Sequence, residues 1–349
     1  MTACAGGTDG TDGAEAAAGG PSAEAAPDGG VAASLDPRGI RGPATVVLDD
    51  PDVHPIADTP EPQLPVTVAS ADGAEVTITD ADRILAVDLY GTLAEIVFSL
   101  GLGDQVVGRD TSTGFPSAAH LPVVTPGGHD LNAEAILDLQ PTVVLTDGSI
   151  GPSDVQLQLR EAGIPVVFFE ETRDVDGVTD RIVAVGEALG LPAEAAALVE
   201  RTETELEEAR ALVPDVDEPL RVAFLYVRGT AGVYLLAGPG SGADSLVATL
   251  GAVDVGTDIG LTRPFTPLTS EALITAAPDV VLVMTGGLES VGGVDGMLAN
   301  VTGLAQTPAG QNRRVVDGAD TELLSFGPRV GRVAAALAGA LYRPVAADS

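Results

Sequence analysis

Lysine is absent from the 349 residues: all 17 basic residues are arginine, set against 51 acidic ones, for a net charge of −34. Without lysine there is no P-loop lysine, no Schiff-base nucleophile and no kinase-type lysine. So negative a field repels phosphate backbones, which excludes a general nucleic-acid binder. The single cysteine, Cys4, excludes intramolecular disulfides, cysteine-rich zinc sites and iron–sulfur clusters held by this chain alone. Three histidines (His54, His120 and His129) leave little for an all-histidine metal site. Tryptophan is missing too, yet a hydrophobic content of 45% still allows a large aliphatic core. No apolar run reaches the roughly 18 residues needed to span a bilayer. Nor is there a G-x-S-x-G, a cysteine nucleophile in the body or an H-E-x-x-H. Binding proteins and metal-poor enzymes remain.

Residues 1–82 differ in composition from the rest, with 15 acidic residues against Arg38 and Arg41. Small, acidic and glycine-rich, residues 1–43 read as a disordered tether. Residues 44–82 hold the short β-like runs TVVLDD and EVTITD, either strands packed on the body or a small appendage. The opening Met-Thr-Ala-Cys resembles the end of a bacterial lipobox, with Cys4 as the modifiable residue. Lipidation there would anchor an extracytoplasmic protein to the cell membrane. The plainer alternative is one exposed thiol in a tail.

The body contains a repeat. LNAEAILDLQPTVVL (131–145) matches LTSEALITAAPDVVL (268–282) at an offset of 137, with seven of 15 positions identical. Each copy reads as a short helix capped by Asn132 or Thr269, stopped before a proline and followed by a buried strand. Strand–helix alternation around both copies implies parallel sheets. The fold class is therefore α/β, with two similar Rossmann-like lobes at 83–190 and 214–349. Between them, residues 191–213 have no glycine, and no proline after the first turn, so they read as one long bridging helix. A ligand cleft between the lobes follows.

Three residues are candidates for that cleft. His129 stands in the TPGGHDLN loop before the first repeat helix; alone it would read as a surface histidine. Period-2 alternation along RVAFLYVRG puts Tyr226 and Arg228 on one face of a strand in the other lobe. Together, a neutral imidazole and a phenolate from opposite lobes can ligate one ferric haem iron, and the arginine can hydrogen-bond the phenolate. Glu134 and Glu271 occupy the first turns of the two repeat helices, where a carboxylate meets the helix dipole favourably. As a pseudo-symmetric pair they also present one exposed carboxylate on each lobe.

The segments TPGGHDLNAEAILDLQPTVVLTDGSIG, FLYVRG, FTPLTSEAL and LLSFGPRVGR resemble haem-binding lipoproteins of bacterial ABC haem importers, of the actinobacterial HmuT type. The resemblance runs from about residue 83 to 343. It implies two α/β lobes joined by one long helix, and a protein without enzymatic activity that carries ferric haem as its transported ligand. It also implies that His129 and Tyr226 ligate the iron, supported by Arg228. By the same resemblance Glu134 and Glu271 dock on arginines of an ABC permease dimer that works with ATPase subunits. Arg263 and Arg329 are candidates to pair haem propionates, Phe265 and Phe326 to touch the porphyrin face, and Tyr90 to wall the pocket. The alternatives are the same scaffold binding a ferric siderophore or cobalamin, a cleft hydrolase, or a surface lipoprotein that only adheres.

Overall fold

Apolar runs such as ILAV at Ile84–Val87 and VVLVM at Val280–Met284 form wholly buried strands in the computed structural model, which describes residues 36–171 and 173–343. Cys4 and residues 1–35 of the expected tether lie outside the described residues. In chain order the strands are β1 (Ala44–Thr45), β2 (Val66–Ala69), β3 (Glu75–Ile78), β4 (Ile84–Val87), β5 (Val106–Gly108), β6 (Val143–Thr146) and β7 (Val166–Phe168). There follow β8 (Arg221–Arg228), β9 (Val233–Ala237), β10 (Val253–Asp254), β11 (Phe265–Pro267), β12 (Val280–Met284) and β13 (Val315–Gly318).

The first lobe is built on a wholly parallel sheet, β5-β4-β6-β7. In the second the order is β1-β13-β12-β8-β9-β11, with β10 beside the start of β8. Here β9 runs antiparallel to both its neighbours, β8 and β11, a departure from the parallel expectation. The cause is local. Only four residues, 229–232, join β8 to β9, and Gly232 at φ +67 turns the chain, whereas a parallel return needs a long crossover.

The bridging helix spans Pro192–Ala211 and buries Ala195, Leu198, Thr202, Leu206 and Ala209 along one stripe. Each lobe reaches it through a glycine. Gly186 of the helix Val178–Ala188 faces Ala195, and Gly331 of the C-terminal helix Val330–Tyr342 faces Glu205 and Leu206; neither position has room for a Cβ. One apolar core joins both sheets through this stripe, taking in Ile84 and Leu145 from the first lobe and Phe224 and Leu282 from the second. Large shared burial of this kind restrains one lobe against the other.

The segment 44–82 is divided between the lobes. β1 adds to β13 of the second lobe, and the β2–β3 hairpin leans on the first, where Ala71 N–H donates to the Phe168 carbonyl. Between them Arg332 donates to the carbonyls of Asp50 and Asp52. Residues 36–43 are packed rather than part of a disordered tether: Pro37 and Ile40 are buried, and Arg38 pairs with Glu218.

Candidate functional site

The loops leaving the first strands of the two lobes face each other across a cleft of about 590 Å³. That is within the usual range for a small-molecule site. The first lobe contributes Leu89 and Tyr90 after β4, Ser112, Gly128 and His129. The second contributes Tyr226 and Arg228 of β8, with Phe265, Met284, Asp320 and Leu324 among its other lining residues. His129 and Tyr226, read from distant segments, therefore share one cleft.

Local rules place both. Gly128 has φ +104, a region costly for any residue with a Cβ, and this turn presents His129 exposed at the cleft. The His129 carbonyl accepts from Gly151 N–H and ties the loop down. Along β8, Tyr226 and Arg228 are half-buried, while their neighbours Leu225 and Val227 are buried. Alternation thus turns the pair to the cleft and the neighbours to the core.

Arg228 does not reach the Tyr226 hydroxyl. Its guanidinium lies over the Tyr226 ring, 4.7 Å from the centroid, and pairs with Asp320 at 3.1 Å. The second Asp320 oxygen accepts from Gly286 N–H at 2.9 Å, so the carboxylate is itself fixed. Phe265 meets the Tyr226 ring edge-on at 5.9 Å. Across the cleft Arg173 stands 5.1 Å from the Tyr90 ring centroid, and burial pushes the Tyr90 hydroxyl above its ordinary pKa.

Beneath the Leu89–Tyr90 loop lies a buried acidic cluster. Asp88 accepts from the N–H groups of Tyr90, Thr92 and Leu93, and Asp110 accepts from Asp88 N–H at 3.1 Å. Burial first, then the carboxylates of Asp110 and Asp147, push Asp88 up to about 7. Burial likewise pushes Asp110 up to about 6. Arg181 lies 3.8 Å from Asp147.

Two expected site residues are elsewhere. Arg329 is buried in an ion pair with Glu95 at 3.0 Å, and its backbone N–H donates to the same carboxylate at 2.7 Å. A carboxylate buried in the helix Thr92–Ser99 needs such a cation, so Arg329 joins the lobes instead of facing a ligand. Phe326 is buried against Gly242 in the core, not against the cleft. Arg263 is exposed, two residues before Phe265, and has no ion-pair partner among the described residues. The sequence reading missed Asp320, which looks like an ordinary acidic residue opening the helix Asp320–Leu323, and Met284, which ends a core strand.

The repeat helices keep their expected form. Asn132 and Thr269 accept from the N–H groups of Ala135 and Ala272, and Glu134 and Glu271 are exposed. Arg83, just before β4, donates to the carbonyls of Leu139 and Gln140 that follow the first repeat helix, and Arg221, opening β8, donates to that of Ala276 at the end of the second.

As a chemical device, the cleft offers one imidazole and one phenol from opposite lobes, between apolar and aromatic walls. Among the described residues no cluster of three or more His, Cys, Asp or Glu could hold a metal ion. The donor pair suits a metal that arrives with its own equatorial ligand.

Comparison with known proteins agrees with this architecture. The family model described as periplasmic binding protein matches residues 87–321, and the chain belongs to that family. A crystal structure of the haem-binding protein HmuT is 42% identical, with a TM-score of 0.83 over 88% of this chain and 99% of that one. Related structures are alanine variants of one histidine, one tyrosine and one arginine of HmuT. A cobalamin-binding protein of Halobacterium salinarum is 28% identical over 62% of this chain, which spans only 58% of that protein's length. The ABC transporter substrate-binding lipoprotein YvrC of Bacillus subtilis, itself uncharacterised, is 27% identical over 80% of this chain and 86% of that one. The chain is thus a binding component, not an enzyme.

Proposed function

We propose that this periplasmic binding protein is the extracytoplasmic component of an ABC haem importer. It binds ferric haem in the interlobe cleft and delivers it to a permease dimer. The observation that carries the reading is the meeting of His129 and Tyr226, from different lobes, at one apolar-walled cleft. A phenolate is a hard anionic donor and favours Fe(III), which suits a carrier that holds haem without reducing it. Arg228 would support Tyr226 through the guanidinium stacked over its ring, and Arg263, exposed two residues before Phe265, would meet a haem propionate.

The HmuT likeness supports the same ligand set, since the tyrosine and arginine exchanged there are also two positions apart. Delivery would use Glu134 and Glu271, and Cys4 would carry a lipid anchor, as the lipoprotein relative YvrC suggests. A hemin titration followed by visible spectroscopy tests the function. Saturable binding with a charge-transfer band of an Fe–phenolate bond is the expected result. Tight binding of cobalamin without such a band for hemin would favour the ligand of the Halobacterium relative instead.

A further inference from the structure

The two repeat helices present more than their glutamates. Among the described residues only seven large aliphatic side chains are exposed, and two of them, Leu137 (45%) and Ile274 (46%), stand one repeat offset apart. The other five have no exposed large aliphatic counterpart at that spacing. Single exposed apolar residues are ordinary, but a pair generated by internal symmetry is not scatter.

The matching covers the whole display. From Ala133 to Asp138 and from Ser270 to Thr275 burial runs in the same order: half-buried, exposed, half-buried, buried, exposed, exposed. Ile136 and Leu273 are the buried anchors that set the same rotation for both helices. Even the chain exits agree, with Gln140 at φ 47 and Ala277 at φ 43, a conformation unfavourable for residues other than glycine yet adopted in both copies. In each helix the exposed aliphatic residue follows the exposed glutamate by three positions, so the two lie side by side on one face. Each display also begins next to the cleft, Glu134 five residues after His129 and Glu271 six after Phe265.

We infer that Leu137 and Ile274 are paired aliphatic anchors that seat the protein on a partner with two equivalent apolar sockets, each rimmed by basic side chains. Two equal displays fit two equal receiving surfaces. A carboxylate beside each anchor, on a chain of net charge −34, selects a basic partner and opposes a second copy of this chain. Resting on the proposed function, that partner is the permease dimer. The aliphatic anchors supply affinity that salt does not screen, while Glu134 and Glu271 set orientation.

The test uses Leu137→Asn/Ile274→Asn with both glutamates retained, and binding to the cognate permease–ATPase complex in lipid nanodiscs at about 0.5 M NaCl, where exposed ion pairs are screened. Each single variant should weaken docking about tenfold, and the double about 100-fold, as expected for losing one and two buried aliphatic contacts. Hemin spectra and thermal unfolding should stay unchanged, and Leu137→Ile/Ile274→Leu should restore docking. If the double asparagine variant docks like the wild type, the anchors are overturned and the proposed function stands. Should the wild type bind hemin but never the permease, delivery and anchors fall together. Variant-sensitive self-association in place of docking would likewise overturn the basic partner.

Discussion

Arg228 rests on the face of Tyr226, 4.7 Å from the ring centroid, while Asp320 holds the same guanidinium at 3.1 Å. The arginine is therefore pre-placed beside the proposed ligand by a residue 92 positions away, and its positive charge is retained next to the aromatic ring. On the proposed reading, the guanidinium beside Tyr226 is held in place by Asp320 before haem arrives.

Removal of the donors should have unequal effects. Tyr226→Ala takes away the anionic ligand and should weaken ferric hemin binding by about 100-fold, whereas His129→Ala should cost about tenfold because water can fill that position. Titration of both variants by the Soret band checks this, and unchanged affinity in both would place the site elsewhere.

The Arg228 side chain has a fork that both stacks and pairs. Arg228→Ala should therefore weaken hemin binding by about tenfold, and Arg228→Lys should recover little, since an ammonium offers a point charge without the planar surface. Affinity measured side by side for the three proteins decides it.

Glu95 and Arg329 are 1% and 5% exposed at the side chain and span the two lobes. Arg329→Ala would leave the carboxylate buried and unpaired, so stability should fall by about 3–5 kcal/mol. Replacing both residues with methionine should restore much of that loss. Chemical unfolding of the single and double variants gives the comparison, and a single variant as stable as the wild type would exclude the pairing.

Asp88 makes acid favourable over a defined window. Its folded-state pKa lies near 7, above the ordinary carboxylate value near 4. The folded protein therefore binds this proton first, and the contribution to stability grows as pH falls from about 7 towards 4. Asp72 acts with the opposite sign. Its pairing with Arg160 holds it down at about 2, so that stabilisation is present above pH 4 and lost as pH falls towards 2. Urea unfolding from pH 8 to 5 should show a weaker acid stabilisation in Asp88→Asn than in the wild type, and parallel curves would remove Asp88 from this role.

What could be read along the chain was whatever depends on short spacing. The caps Asn132 and Thr269, the bridging helix and the shared face of Tyr226 and Arg228 follow from periods of 2 or 3.6 and from local capping chemistry. The repeat at an offset of 137 shows as a match between two such short segments. Sequence alone thus determined the two-lobed α/β class and singled out His129 and Tyr226, which line one cleft from opposite lobes. Tertiary structure decided which arginine faces the cleft. Arg228 and Arg329 look equally available in sequence, but Glu95, 234 positions from Arg329, takes the latter into the core. It also divided residues 44–82 between two sheets, through pairings such as Ala44 with Val316. Partners so far apart in the chain leave no periodic trace, because their meeting is set by how buried charge and open strand edges are satisfied once the lobes have packed.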